Sequence, residues 1–189
     1  RIEKDGPIGQ DRQLDDFELA TRLSYFLWSS MPDEELFDLA RAGSLQKDDN
    51  LSKQIDRMLA DPKIRSGLVE NFAGQWLQTR RLSNIRPDKE SLPSFDEPLR
   101  VAMEQETLLL FEEIARKDLP ATLLLDADFS FLNERLAKHY GIKGVRGDEF
   151  RRVTLTNQQM RGGPSHPGIL CMTSHRLRTS PVLCGTWIL

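Results

Sequence analysis

The chain has 189 residues, a hydrophobic fraction of 39% and a formal net charge of −3 from 26 basic and 29 acidic residues. This composition is typical of a globular protein that buries a core, and it excludes a disordered chain. The nearly balanced charge gives no general attraction to nucleic acid, and no apolar run is long enough to cross a membrane. We therefore expect neither a nucleic-acid partner nor a membrane span.

The ends of the sequence carry no recognisable targeting segment. Residues 1–13 are polar and are predicted to be a linker. The chain starts at Arg1 and stops within the apolar pattern GTWIL. We therefore expect a fragment of a longer protein, in which case a missing signal does not define the compartment.

Three capped helices are predicted in the first part of the chain. The first begins at Asp15, and Glu18 three residues later completes a capping box. The second has Pro32 in its first turn and stops at Gly43. The third ends at Asp61, which also starts the next helix.

The stretch GLVENFAGQWLQTRRL, residues 67–82, is predicted to form a fourth helix. At about 100° per residue, its apolar side chains make a broad stripe that includes Gln75. In that position Gln75 would need buried hydrogen-bond partners. Gly67 and Gly74 lie two turns apart and are predicted to let a neighbouring helix approach closely.

A long amphipathic helix is predicted after a Pro- and Ser-rich loop at residues 83–98. Its apolar side is formed by Leu99, Met103, Leu110, Phe111 and Ile114. A short half-helix and a compact helix follow, the latter capped by Ser130 and ended by Gly141.

The character of the sequence changes after residue 142. The run from Phe150 to Thr156 is β-like, and the remainder is rich in turns. The predicted fold is therefore mainly α: a helical bundle of about six helices over residues 14–142. A short, incomplete C-terminal module with a β-like strand occupies residues 143–189.

The residue types that bind zinc or haem iron are concentrated in this C-terminal module. His166, Cys171, His175 and Cys184 are separated by five, four and nine residues, without a CxxC, CxxCH or HxxxH pair. We therefore predict no metal site and no cofactor in this chain. The two cysteines leave open a single disulfide or two free, partly buried thiols.

Six polar residues form the candidate ligand-binding set: Asn71, Gln75, Arg80, Arg178, Thr179 and Ser180. The RTSP segment offers donors of the kind that hold an anion at a helix entrance. The alternative is that Ser180 caps a helix beginning at Pro181 while Arg178 pairs with an acid. No nucleophile elbow, phosphate loop or dinucleotide fingerprint is present, so catalytic residues are unknown and enzyme activity is left open.

Five segments, in this order, carry a family resemblance: LDDFELATRLSYFLWSSMPDEELFDLARAG, ENFAGQWL, FLNERLAKHYGI, GDEFRRVTL and RTSPV. The chain resembles domain of unknown function 1592 over residues 14–142 and the start of domain of unknown function 1588 beyond it. These are consecutive modules of large proteins abundant in planctomycetes and related bacteria. The resemblance implies export, to the periplasm or beyond, and a c-type cytochrome domain with its haem elsewhere in the full-length protein. It implies no activity for these modules.

The sequence departs from the family pattern at PSHPG, SHRL and VLCGT. His166, His175 and Cys184 are therefore expected to be particular to this chain, which further weakens the case for a metal site.

The function expected from these observations is that of a helical scaffold or interaction module. It would belong to an exported multidomain protein associated with a c-type cytochrome, with other domains of the same chain as partners. The alternative is an accessory part of a redox enzyme or a carbohydrate-binding unit. In that case Asn71, Gln75, Arg80 and Arg178 should converge on one polar cleft.

Overall fold

A computed structural model describes residues 12–85, 94–156, 160–175 and 178–188. The first eleven residues of the predicted linker and residues 86–93 of the predicted loop lie outside this range. The chain divides into two compact units, unit 1 (residues 1–72) and unit 2 (residues 73–189). The two units are defined by contacts between residues, and this division does not test the module boundary predicted at residue 142, which stays a prediction. The mainly helical fold is confirmed.

The first helical elements occur in the order α1 (Asp16–Trp28), α2 (Glu34–Arg41), α3 (Asn50–Ala60), a 3-10 turn (Pro62–Ile64) and a π-helix (Arg65–Ala73). The predicted start of α1 is confirmed. The Asp15 carboxylate accepts a hydrogen bond from the Glu18 amide at 2.9 Å, and the Asp15 amide donates to Glu18 Oε2 at 3.0 Å. Two first-turn donors are thereby satisfied, which fixes where the helix begins.

The second helix ends as predicted but begins differently. Asp33 is its N-cap and accepts from the Leu36 amide at 3.1 Å, so Pro32 precedes the cap. The prediction that Pro32 lies in the first turn is therefore wrong, because the Asp33 carboxylate already satisfies that end of the helix. Gly43 follows the C-cap with a φ of 60°, a left-handed conformation suited to glycine.

Trp28 ties the end of α1 to α3 and to the turn that follows α3. Its indole Nε1 donates to the Met58 carbonyl at 3.0 Å. The Lys63 ammonium and the Arg57 guanidinium lie 4.5 and 5.4 Å from the ring centroid, within the range of cation–π attraction. The buried indole therefore has a hydrogen-bond partner and two cationic neighbours.

The prediction of a single helix at residues 67–82 is wrong. The chain instead passes from the π-helix into a three-residue helix, α4 (Gly74–Trp76), and then a 3-10 helix (Thr79–Asn84). The i→i+5 hydrogen bonds of a π-helix widen its turn, so a wheel drawn at about 100° per residue misplaces the side chains. Gln75 is exposed, and its predicted position in a buried stripe is wrong.

The two glycines of this stretch have different neighbours. A Cβ on Gly67 would lie 2.3 Å from the Leu27 carbonyl oxygen, so the predicted close approach is confirmed there. A Cβ on Gly74 would meet no atom nearer than 3.6 Å, and that atom belongs to the Arg80 side chain. The predicted close approach of another helix at Gly74 is wrong.

After α4 and the 3-10 helix, the elements of unit 2 are α5 (Glu97–Arg116), α6 (Leu123–Asp126), β1 (Phe129–Leu132), α7 (Glu134–Tyr140), β2 (Arg151–Thr154), a 3-10 turn (Gly163–Ser165), α8 (Pro167–Met172), β3 (Ser174–His175), β4 (Arg178–Thr179) and α9 (Pro181–Ile188). Strands β1 and β2 are antiparallel, with Phe129 opposite Thr154, and β3 pairs with β4 in the same way. The predicted β-like run is confirmed as β2.

Helix α5 is the central element of unit 2. Its predicted apolar face is confirmed, because all five of the predicted apolar residues are buried. One part of this face packs in a cluster with Leu132 and Leu136, and the part nearer the C-terminus packs with Phe129. Strand β1 and helix α7 are therefore held against α5 by apolar contacts.

Helix α7 has a different cap from the one predicted. The Asn133 side chain accepts from the Leu136 amide at 2.9 Å, whereas Ser130 lies within β1. The predicted Ser130 cap is wrong, because the chain stays extended to Leu132 in order to pair with β2. The predicted end is confirmed, since Gly141 has a φ of 71°.

Candidate functional site

Five side chains meet in a polar cluster inside unit 2, the Glu106 cluster: Glu106, Thr107, Ser130, Tyr140 and His166. Helix α5 supplies Glu106 and Thr107, β1 supplies Ser130, and the end of α7 supplies Tyr140. His166 precedes α8. Glu106, Ser130 and His166 are each exposed by no more than 1%. Four parts of unit 2 thus place polar atoms in an otherwise apolar interior.

The Glu106 carboxyl is the centre of the hydrogen bonding. The Ser130 hydroxyl donates to Oε1 at 2.5 Å, and the Tyr140 hydroxyl lies 2.8 Å from Oε1 and 3.0 Å from Oε2. His166 Nδ1 is 3.0 Å from Thr107 Oγ1. The other imidazole nitrogen, Nε2, is 3.8 Å from Glu106 Oε1 and has no hydrogen-bond partner among the described residues.

Burial controls the protonation of both titratable groups of this pair. It raises the pKa of Glu106 to about 8, although the hydrogen bonds from Ser130 and Tyr140 favour the ionised form. It lowers the pKa of His166 to about 3. At neutral pH the pair is therefore an uncharged carboxylic acid beside an uncharged imidazole, and not an ion pair.

The arrangement can hold a proton, but it does not present a reactive group to a substrate. Ser130 and Glu106 are enclosed on all sides, so neither can touch a molecule bound at the surface. The satisfied hydrogen bonds instead fix α7 and β1 to α5, since breaking one would leave a buried polar group unpaired. The cluster therefore stabilises the packing of α7 and β1 on α5, and its carboxyl group has an unusual protonation state.

Three glycines bring His166 to this position. Gly162 has a φ of 66°, and a Cβ there would lie 2.2 Å from the Leu125 carbonyl oxygen. A Cβ on Gly168 would lie 3.2 Å from the Met103 carbonyl oxygen, and one on Gly163 would lie 3.0 Å from that of Leu124. The glycines of RGGPSHPG thus let this segment lie directly on α5 and α6.

An apolar cavity of about 300 Å³ lies beside the cluster. Its main lining residues are Trp76, Leu77, Leu110, Leu124, Leu125 and Trp187. The Trp187 indole Nε1 donates to the Leu77 carbonyl at 3.0 Å, which fixes that wall. Thr107 also lines the cavity, and its hydroxyl contacts His166 Nδ1.

The six residues predicted to bind a ligand are distributed over both units. Asn71, in unit 1, donates from Nδ2 to Ser29 Oγ at 3.1 Å. Gln75 and Arg80 are exposed residues of unit 2. The backbone of Arg178 and Thr179 forms β4, and their side chains lie outside the described part of the structure. The convergence of Asn71, Gln75, Arg80 and Arg178 on one cleft stays a prediction.

Ser180 has the capping role that the sequence offered as the alternative. Its hydroxyl oxygen accepts from the Leu183 amide at 3.4 Å, and its carbonyl accepts from the Cys184 amide at 3.0 Å. Ser180 therefore stands at the start of α9, which begins at Pro181 as predicted.

Of the residues that could ligate a metal, His166 belongs to the Glu106 cluster, and the side chain of His175 lies outside the described part of the structure. Within the described ranges, no group of three or more His, Cys, Asp or Glu side chains is placed to hold a metal ion. Cys171 and Cys184 are free thiols of intermediate burial. Within the same ranges, no helix combines the length and apolar character needed to span a bilayer.

The sequence contained a signal for the Glu106 cluster that the pattern analysis missed. Glu106 lies three residues after Met103 and four before Leu110, which is the spacing of a buried face. A carboxyl group at such a position requires buried partners. Those partners are far away in the sequence, so the pattern of α5 identifies the buried acid but not Ser130, Tyr140 or His166.

The family model described as "Protein of unknown function (DUF1592)" matches residues 14–142. This match covers more than half of the chain, so the chain belongs to that family. No curated protein and no solved structure matches it. The first part of the resemblance is therefore confirmed, while the second module and the c-type cytochrome stay predictions.

Proposed function

We propose that this member of the DUF1592 family is an interaction module of an exported multidomain protein. Its partners are other domains of the same protein, one of which carries a c-type haem. The haem and the export are supported by the sequence resemblance alone. No step of the proposal requires a cofactor within these residues.

An exposed aromatic pair in unit 1 carries the proposal. Phe26, near the end of α1, is 52% exposed, and Phe72, in the π-helix, is 40% exposed. Their ring centroids lie 5.4 Å apart in an edge-to-face arrangement. Because two touching aromatic rings expose more apolar surface than scattered single residues, such pairs favour protein–protein contact.

Two further apolar side chains support this interpretation. Tyr25 precedes Phe26 on α1, and Met31 follows the helix after a short turn; both are more than half exposed. The most strongly perturbed carboxyl group described, that of Glu106, is enclosed in unit 2. Exposed apolar groups and an inaccessible acid favour a binding role over a catalytic one.

The proposal is tested by measuring binding between this chain and the remainder of its protein, expressed separately, by titration calorimetry. The double variant Phe26→Ser/Phe72→Ser should weaken binding by about tenfold or more, since truncation of central aromatic contacts has effects of this size. Val101→Ser is the matched control, because Val101 is 41% exposed but lies in unit 2. Equal affinities for the double variant and the unaltered chain would contradict the proposal.

A further inference from the structure

The apolar cavity of unit 2 is independent of the aromatic pair in unit 1. We propose that this cavity is a binding site for a small, uncharged aromatic molecule. Its volume of about 300 Å³ is at the lower end of the range that small-molecule sites occupy.

The lining of the cavity determines the charge of the ligand. Among the described residues that line it there is no Asp, Glu, Lys or Arg, and the walls are formed mainly by leucines and two tryptophans. A charged ligand would lose its hydration there without gaining a partner of opposite sign. Glu106, the residue before Thr107 on α5, is engaged by Ser130 and Tyr140.

The two indoles determine the shape of the ligand. Trp187 is held by its hydrogen bond to Leu77, and Trp76 contacts Phe111 edge-to-face with centroids 6.2 Å apart. Rings fixed in this way offer flat apolar surfaces to another ring without further ordering of the side chains. Trp76 is 55% exposed, so a bound ring would also remove apolar surface from water.

Thr107 supplies a polar anchor. Apart from the two indoles, it carries the only hydrogen-bonding side chain among the lining residues that the structure describes. Its hydroxyl makes one hydrogen bond with His166 Nδ1, whose direction the imidazole tautomer sets, so the hydroxyl keeps at least one further donor or acceptor position for a ligand. The ligand class is therefore an aromatic ring system with at most one or two neutral donor or acceptor groups.

Two probes that share a ring skeleton test the inference. N-phenyl-1-naphthylamine is uncharged, and 8-anilinonaphthalene-1-sulfonate adds an anionic sulfonate to the same rings. Fluorescence titration should show saturable binding of the neutral probe to one site. The affinity for the sulfonate should be lower by a factor of about ten or more. Equal affinities for the two probes, or binding that does not saturate, would overturn the inference.

Substitutions at the mouth of the cavity locate the site. Ala121 is exposed and lines the cavity, so Ala121→Trp should fill it without disturbing the core and weaken binding by about tenfold. Val101→Trp, an exposed position on α5 outside the cavity, should leave the affinity unchanged. Leu125→Glu is a second variant, because Leu125 is also exposed and would place a charge at the mouth. Unaltered affinity in both cavity variants would overturn the inference.

Discussion

Gly67 lies so close to the backbone of α1 that no larger residue fits in its place. The Leu27 carbonyl oxygen and the Trp28 backbone would lie 2.3 and 2.6 Å from an added Cβ. Backbone atoms at the end of α1 cannot move aside as a flexible side chain would. We therefore expect Gly67→Ala to lower the free energy of unfolding by about 3 kcal/mol, a cost typical of severe overpacking.

The matched control for this prediction is Gly74→Ala. The nearest atom to a Cβ there is 3.6 Å away, which is ordinary contact. Alanine favours helix over glycine, so this variant should be neutral or more stable by up to about 1 kcal/mol. Urea unfolding of both variants measures the difference, and equal midpoints would contradict the close approach at Gly67.

Cap residues determine element boundaries, and Asn133 tests this for α7. Its side chain accepts from the Leu136 amide, so Asn133→Ala should cost about 1 kcal/mol of unfolding free energy. Asn133→Ser should retain most of the stability, because a serine oxygen can accept the same bond. If alanine and serine at position 133 give the same unfolding midpoint in urea, the cap contributes nothing.

Prediction from the sequence succeeded where a local signal determines local structure. The capping box of α1, the glycine stops and the apolar face of α5 each depend on residues a few positions apart, and all are confirmed. It failed at Gln75, because the hydrogen-bonding pattern of a π-helix is not encoded by the apolar spacing. It failed at Ser130 because pairing with β2, a distant strand, decides that residue's conformation.

The candidate sites depend still more on distant contacts. The two hydrogen bonds to Glu106 come from residues 24 and 34 positions away, and Thr107 meets His166 across 59 positions. A single sequence offers no measure of such distances. The contact between Phe26 and Phe72 is hidden for the same reason, since the two rings belong to segments 46 positions apart in the sequence.

At the scale of the whole molecule, the Glu106 cluster makes stability depend on pH. Burial raises the pKa of Glu106 from 4.5 to about 8, so between these values the folded protein holds a proton that the unfolded chain releases. Its contribution to stability therefore falls as pH rises through this window. The pKa of His166 is lowered from 6.5 to about 3, and its contribution therefore rises with pH between those values.

Between pH 4.5 and 6.5, the contributions of Glu106 and His166 to the free energy of unfolding change with pH in opposite directions. Between pH 6.5 and 8, only the contribution of Glu106 changes. We therefore expect the free energy of unfolding to decrease from pH 6.5 to pH 8. Glu106→Gln cannot ionise, so this variant should lose the decrease even if its stability is lower throughout. The described side chains that face Glu106 are Ser130, Tyr140 and His166, and none of them gains or loses charge in this interval at its shifted pKa.

The measurement must report on the unit that contains the cluster. Trp28 belongs to unit 1, and Trp76 and Trp187 belong to unit 2. Urea unfolding followed by fluorescence in a Trp28→Phe background therefore follows unit 2. A stability that is constant or rising from pH 6.5 to 8, or a decrease of equal size in Glu106→Gln, would show that Glu106 is ionised in the folded protein. In that case the cluster would hold a buried carboxylate, and the uncharged state of Glu106 inferred here would be wrong.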